Sequence, residues 1–221
     1  MNATKLTQLQ AVLPSVSRET FGRLLAFESL FIKWSKAFNL AAPSTISDFW
    51  QRHVLDSAQI AAIRRPSGIW LDLGSGGGLP GIVLAVLMRE SLGGMVHLIE
   101  SNGKKVSFLR NALIETEGAG VVHQVRIEDA LREVPGADVV TARALASLPT
   151  LLQLSRPWLD AGATALFHKG REFREEVRLA RDGGPFHLIE HSSVADPRSA
   201  ILEIRSIGGR NEHEKRSTQD N

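Results

Sequence analysis

The stretch LDLGSGGGLPG, from Leu71 to Gly81, sets five glycines between two apolar runs. Glycine is needed where a chain turns sharply or enters backbone conformations closed to other residues. An apolar run ending in such a turn, with another beginning after it, predicts a strand that feeds directly into a helix. The same alternation continues downstream. Short apolar runs at Ile69–Leu73, Met95–Ile99, Val121–Val125, Val139–Thr141 and Ala163–Phe167 predict strands. Helix-length segments at Leu79–Arg89, Lys104–Glu117, Glu128–Glu133 and Ser147–Leu159 separate them. Strands alternating with helices imply an α/β fold with a mostly parallel sheet covered on both faces. Phe186–Ser192 and Ser199–Ser206 read as two further strands, an antiparallel pair at one edge.

Upstream of the turn the periodicity is helical. Apolar side chains at 21, 24, 25, 27, 30, 31, 34 and 38 give the segment Arg18–Phe38 one broad buried face. A second helix is expected over Ser47–Ile63, with Ser47 as its cap and Asp48 in its first turn. The expected organisation is a helical cap over residues 1–66, an α/β domain over 67–207, and a polar tail over 208–221. That tail lacks periodicity and reads as disordered.

Composition narrows the function classes. The longest apolar stretch, Ile82–Met88, is far short of the roughly 20 residues that span a bilayer. The segment MNATKLTQLQ lacks the long apolar core of a signal peptide. There is no cysteine, hence no disulfide, no thiolate metal site and no thiol nucleophile. A cytoplasmic monomer without a metal is expected. The net charge of +2 permits a nucleic-acid partner without requiring one.

Two registers fit the glycine turn. Gly76-x-Gly78-x-x-Gly81 matches the dinucleotide pattern G-x-G-x-x-G. Asp72-x-Gly74-x-Gly76-x-Gly78 matches the acidic-glycine pattern of adenosylmethionine-dependent methyltransferases. The strand favours the second register, because Leu73 is followed at once by Gly74 and Asp72 has a task only there. A carboxylate at that place accepts hydrogen bonds within the loop or from the amino group of the ligand. Glu100, 22 residues after Gly78, suits the hydroxyls of a ribose, which both cofactors carry. A Walker-type phosphate loop is excluded, since no Gly-Lys-Ser/Thr follows.

FNL (38–40), RHVLDS (52–57), LDLGSGGGLPGI (71–82), ESNGKKVSFLR (100–110), TARALASLP (141–149) and HKG (168–170) follow one another in a known order. With them the chain resembles the bacterial glucose-inhibited division protein B family, which methylates guanine N7 in 16S ribosomal RNA. The resemblance runs from about Phe27 to Gly170 and more loosely to Ile207. It implies a Rossmann-like class I methyltransferase sheet with an N-terminal helical extension and S-adenosyl-L-methionine as cofactor. It further implies contacts from Gly74, Gly76, Gly78 and Leu79 to that cofactor, Glu100 on its ribose, and Ile127 and Glu128 beside its adenine. Arg143 would lie near the cofactor or the target base. Ala41, Asn102 and Lys104-Lys105 depart from the commoner family residues, which bears on RNA contacts more than on the cofactor.

The chemistry agrees with a ring nitrogen as acceptor. Guanine N7 carries an in-plane lone pair and no proton at neutral pH, so attack on an activated methyl needs alignment rather than a base. Without cysteine, methylation at pyrimidine C5 through a thiol adduct is excluded. A guanidinium at the strand end, Arg143, can pair with guanine O6 or with a phosphate; a surface ion pair is its simpler role. His53 and Asp56 lie three apart and share a helix face, facing either substrate or a neighbouring helix. Asn39 is expected to order the junction beside the cofactor. Arg52, Lys104, Lys105 and Lys169 are expected to track RNA phosphates, with His53 beside the RNA substrate, which is 16S rRNA within a 30S subunit or an assembly intermediate. The alternatives are a methyltransferase for a small molecule or another RNA position, a nicotinamide oxidoreductase in the shifted register, and a non-catalytic RNA-binding factor.

Overall fold

The computed structural model describes residues 2–36, 38, 40, 48–91 and 93–207. Helices α1 (Asn2–Val12) and α2 (Arg18–Ser35) come first. Ser17 caps α2, its hydroxyl oxygen accepting the Thr20 amide at 3.0 Å. A π-helical turn, Trp50–Leu55, then runs straight into α3 (Asp56–Ile63). Regular α-helix was expected over this stretch. The wider winding presents the Arg52 carbonyl to a side chain from the sheet, as described below. The expected Ser47 cap, Asn39 and the tail 208–221 lie outside the described residues.

Seven strands follow: β1 (Ile69–Leu73), β2 (Met95–Ile99), β3 (Gly120–His123), β4 (Val139–Arg143), β5 (Thr164–Lys169), β6 (Phe186–Ser192) and β7 (Ala200–Ile207). Between them lie α4 (Gly81–Met88), α5 (Gly103–Thr116), a 3-10 turn (Ile127–Asp129), α6 (Ala130–Glu133), α7 (Leu148–Asp160) and α8 (Phe173–Asp182). The sheet order is β3-β2-β1-β4-β5-β7-β6. β1 to β5 are parallel; β7 inserts antiparallel beside β5, and β6 pairs antiparallel with β7 at the edge. The expected edge pair is therefore present, with its second strand rather than its first joined to the sheet. Helices α1 and α8 were not foreseen. Alternation along each strand assigns the layers. Trp70, Leu98, Val139 and Leu166 face a core shared with α1 to α5, whereas Leu71, Leu73, Val140 and Phe167 face one shared with α6 to α8. α4 reads GIVLAVLM and every residue of it is buried, as befits a helix covered on all sides. The reversal of strand order between β1 and β4 opens a crevice at their carboxyl ends, where open α/β sheets bind ligands.

Candidate active site

Gly74, Gly76 and Gly78 have φ of 64°, 52° and 80°, the left-handed region that costs other residues roughly 1–2 kcal/mol each. Alternating left-handed residues curl the chain tightly between β1 and α4. The end of β2 pins the curl. The Ser75 amide donates to the Ile99 carbonyl at 2.9 Å, and the Gly76 amide to Glu100 Oε2 at 2.9 Å. Glu100 Oε1 accepts the Asn102 amide at 2.8 Å. Each oxygen of this carboxylate thus keeps a lone pair beyond its backbone partner. Asn102 in turn caps α5, its side-chain oxygen accepting the Lys104 and Lys105 amides. Phe31 of α2 backs the turn, since a Cβ at Gly77 would lie 2.8 Å from its ring. The N-terminal helices therefore supply one wall of the site.

A cavity of about 390 Å³ opens over the turn, with Gly74, Gly76, Leu79, His53, Lys105 and Arg143 among its lining residues. Segments far apart in sequence are brought together here: the RHVLDS helix, the glycine turn, the start of α5 and the end of β4. Arg143 is held from three sides. Nη2 donates to the Arg52 carbonyl at 2.8 Å and to His53 Nδ1 at 3.0 Å. Nη1 lies 3.2 Å from Asp56 Oδ2, and the two side chains are 20% and 8% exposed. The expected alternative of a surface ion pair is corrected: the pair is internal, and Arg143 is its member in the cavity wall. Burial, reinforced by Arg143, pushes His53 down to about 4. His53 is thus neutral and accepts through Nδ1 from Arg143, while its ring lines the cavity.

Two further expectations need correction. Lys169 was placed on a phosphate track, yet its side chain is 7% exposed, paired with Glu176 at 2.5 Å and donating to the Ala146 carbonyl at 2.8 Å. β5 is buried along its whole length, so a charge at its end needs an internal partner. Asp72 was expected to accept hydrogen bonds within the loop or from the amino group of the ligand, and the place it occupies suits the first and not the second. It is 1% exposed beneath the turn, where its Oδ1 accepts the Thr141 hydroxyl at 2.8 Å. Burial pushes its carboxyl up to about 6 against that hydrogen bond. Asp72 braces the turn from below.

Lys104 is exposed and reaches over the Phe38 ring, and Arg52 is half-buried; neither is in the cavity lining. Ile127 and Glu128 stand on the 3-10 turn beyond β3, outside the cavity lining; Ile127 is half-buried and Glu128 exposed. Sequence reasoning missed Thr141, His168 and Ser193, the last two meeting at Asp56. His168 lay within the HKG motif, whereas nothing local marks Ser193, which is 137 residues from its partner. Among the described residues, no group of three or more His, Asp or Glu is placed to hold a metal. No helix there is long and apolar enough to cross a membrane.

Comparison with known proteins agrees with this fold. A solved magnesium protoporphyrin IX methyltransferase from Synechocystis PCC 6803, with SAM bound, superposes with a TM-score of 0.57 at 14% identity, covering 87% of this chain and 99% of that one. At that identity the likeness establishes the fold alone. A ribosomal RNA small subunit methyltransferase G from Chelativorans sp. (strain BNC1) is 49% identical over 207 residues, 94% of this chain and 99% of that protein. Its counterpart from Brucella canis is 50% identical over 203 residues, 92% of this chain and 95% of that protein. The GidB family model, described as rRNA small subunit methyltransferase G, matches residues 21–203. By the family match and by its identity to these relatives, the chain belongs to the rRNA small subunit methyltransferase G family.

Proposed function

We propose that the chain transfers a methyl group from S-adenosyl-L-methionine to N7 of a guanine in 16S ribosomal RNA, within the small subunit or an assembly intermediate. The observation that carries this reading is the cavity over the glycine turn, whose Gly76 amide is pinned by the Glu100 carboxylate and whose wall holds a fixed guanidinium. The residues fit the cofactor. A Cβ at Gly76 would meet nothing nearer than 3.6 Å, so its absence leaves room directly over the turn. The spare lone pairs of Glu100 match the vicinal hydroxyls of a ribose. When bound, the cofactor supplies a sulfonium methyl already activated for transfer.

The chain's own residues then have a task of alignment. Gly74, Gly76, Gly78 and Leu79 shape the floor, and Glu100 orients the nucleoside. Ile127 and Glu128, at the same carboxyl end of the sheet, flank the adenine. Arg143 presents donors to guanine O6 or to a neighbouring phosphate, which fixes the purine without a proton transfer. Arg52, Lys104 and Lys105 steer the RNA backbone. The modest net charge of +2 leaves much of the recognition to the shape of a folded particle.

The test uses purified protein, methyl-labelled adenosylmethionine and 30S subunits from cells lacking the gene, with reverse-transcription mapping. Label on N7 of one 16S guanine is the expected result. Cofactor binding without transfer to RNA would replace this reading with a small-molecule acceptor. Absence of cofactor binding would overturn the assignment of the glycine turn.

A further inference from the structure

Asp56 joins parts of the molecule that the methyl-transfer chemistry does not itself require to touch. It begins α3 and is 5% exposed. Its Oδ1 accepts the hydroxyl of Ser193, from the β6–β7 connection, at 2.6 Å. Its backbone carbonyl lies 3.0 Å from His168 Nε2 on β5, which donates to it. Its Oδ2 lies 3.2 Å from Arg143 Nη1 on β4. Burial keeps the His168 imidazole neutral, down to about 4, so Arg143 is the charge that answers this carboxylate.

Arg143 and Ala144 are shared by two cavities. One is the cavity over the glycine turn; the other, of about 260 Å³, opens on the far side and includes Asp56, His168 and Gly170 in its lining. Ala144 has a φ of 50°, a left-handed conformation for a residue with a Cβ. Such strain persists where surrounding contacts over-determine the backbone, and it concentrates at functional sites. An arginine side chain otherwise loses about 2 kcal/mol of rotamer entropy when held still. Here the two Nη2 donors are committed to Arg52 and His53. Asp56 neutralises the charge at Nη1, which is buried from solvent beside it and makes no hydrogen bond among the described residues.

We propose that Asp56 is a positioning residue, which holds Arg143 between the two cavities so that the guanidinium meets the target purine at a fixed place. This rests on the guanine reading above. Asp56 touches neither cofactor nor base. It acts through Arg143, and through Ser193 it ties the β6–β7 connection to the same point.

The test compares wild type, Asp56→Asn, Arg143→Ala, the double variant and Gln59→Ala. Asparagine keeps the acceptor for Ser193 and removes the charge. Gln59 ties α3 to the same connection through the Ser192 carbonyl and the Val194 amide, at 2.7 and 2.9 Å, without contacting Asp56. Steady-state methyl transfer is measured together with calorimetric binding of S-adenosylhomocysteine and thermal melting. Asp56→Asn is expected to lower kcat/KM about 100-fold, as misplacement of an aligning group does. Its S-adenosylhomocysteine affinity stays within about threefold of wild type, and Gln59→Ala keeps near wild-type kcat/KM. The double variant is expected to be no slower than Arg143→Ala, because residues acting as one unit are non-additive. Wild-type activity in Asp56→Asn, multiplied losses in the double variant, or loss of S-adenosylhomocysteine binding with the melting transition would each overturn the proposal. Label arriving on an acceptor other than guanine N7 would overturn the functional reading instead, and the same ratios on that acceptor would still decide the role of Asp56.

Discussion

A methyl group placed on Gly78 would lie 2.5 Å from Ile82 Cγ1 and 3.2 Å from Leu109, in a backbone conformation with φ of 80°. At Gly76 the same addition meets only strain, since nothing lies closer than 3.6 Å. Gly76→Ala is therefore expected to cost about 1–2 kcal/mol, and Gly78→Ala several kcal/mol, because a clash with the first turn of α4 is added. Thermal melting of the two variants checks the order; a Gly76→Ala protein less stable than Gly78→Ala would contradict it. Glu100→Gln tests the other side of the turn. Glutamine offers one oxygen where the carboxylate accepts from both Gly76 and Asn102, so one buried amide is left unpaired, at a cost of about 1–3 kcal/mol. Calorimetry is expected to show S-adenosylhomocysteine affinity reduced about tenfold or more. Asp72, Gly74 and Glu100 were legible as a group because strand, turn and next strand end are local features spaced along the chain. The side on which Asp72 would point was not, since that depends on Thr141 in the neighbouring strand.

Elements decide which basic residues reach RNA. Lys169 closes a fully buried strand and, with Glu176, secures the start of α7, where the Leu148 amide donates to the same carboxylate at 2.6 Å. Lys169→Met is expected to lower stability while leaving the salt dependence of RNA binding unchanged. Lys104, exposed at the start of α5, is expected to behave in the opposite way. Lys104→Met should make the plot of log affinity against log salt shallower by about 0.7–0.9 and leave melting within experimental scatter. Filter binding across a salt series separates the two. A charged residue after a strand looks the same in sequence whether its helix neighbours bring a counter-charge or not, which is why both lysines read alike. The β4 end offers a further test. Ala144→Gly removes the cost of a left-handed alanine and is expected to raise stability by up to about 1 kcal/mol. It is also expected to slow methyl transfer by loosening Arg143, as a paired melting and activity measurement would show.

At the scale of the whole molecule, two buried histidines contribute to the response to acid. His53 and His168 are both driven by burial from 6.5 to about 4. A group whose folded value is depressed contributes stability at higher pH and loses it as pH falls, because the unfolded chain takes up protons first. The loss therefore begins near 6.5 and is complete near 4. Asp72, raised from 3.8 to about 6 by burial, has the opposite sign: its cost grows as pH rises through that interval. Replacing both histidines with glutamine leaves the Asp72 contribution in place. The variant is thus expected to lose less melting temperature than wild type between pH 6.5 and 4, and parallel curves would contradict this.

By itself the sequence determined the seven strands and the helices between the first five of them, the glycine turn and the carboxylate 22 residues after it, because turn geometry and hydrophobic period act over a few residues. Only the tertiary structure decided that Arg143, His53, Asp56, His168 and Ser193 form one linked group. It also decided that Lys169 is internal and that β7 rather than β6 joins β5. Those outcomes follow from burial: a polar group removed from water must find a partner, and the partner is chosen by the packing of layers rather than by position along the chain.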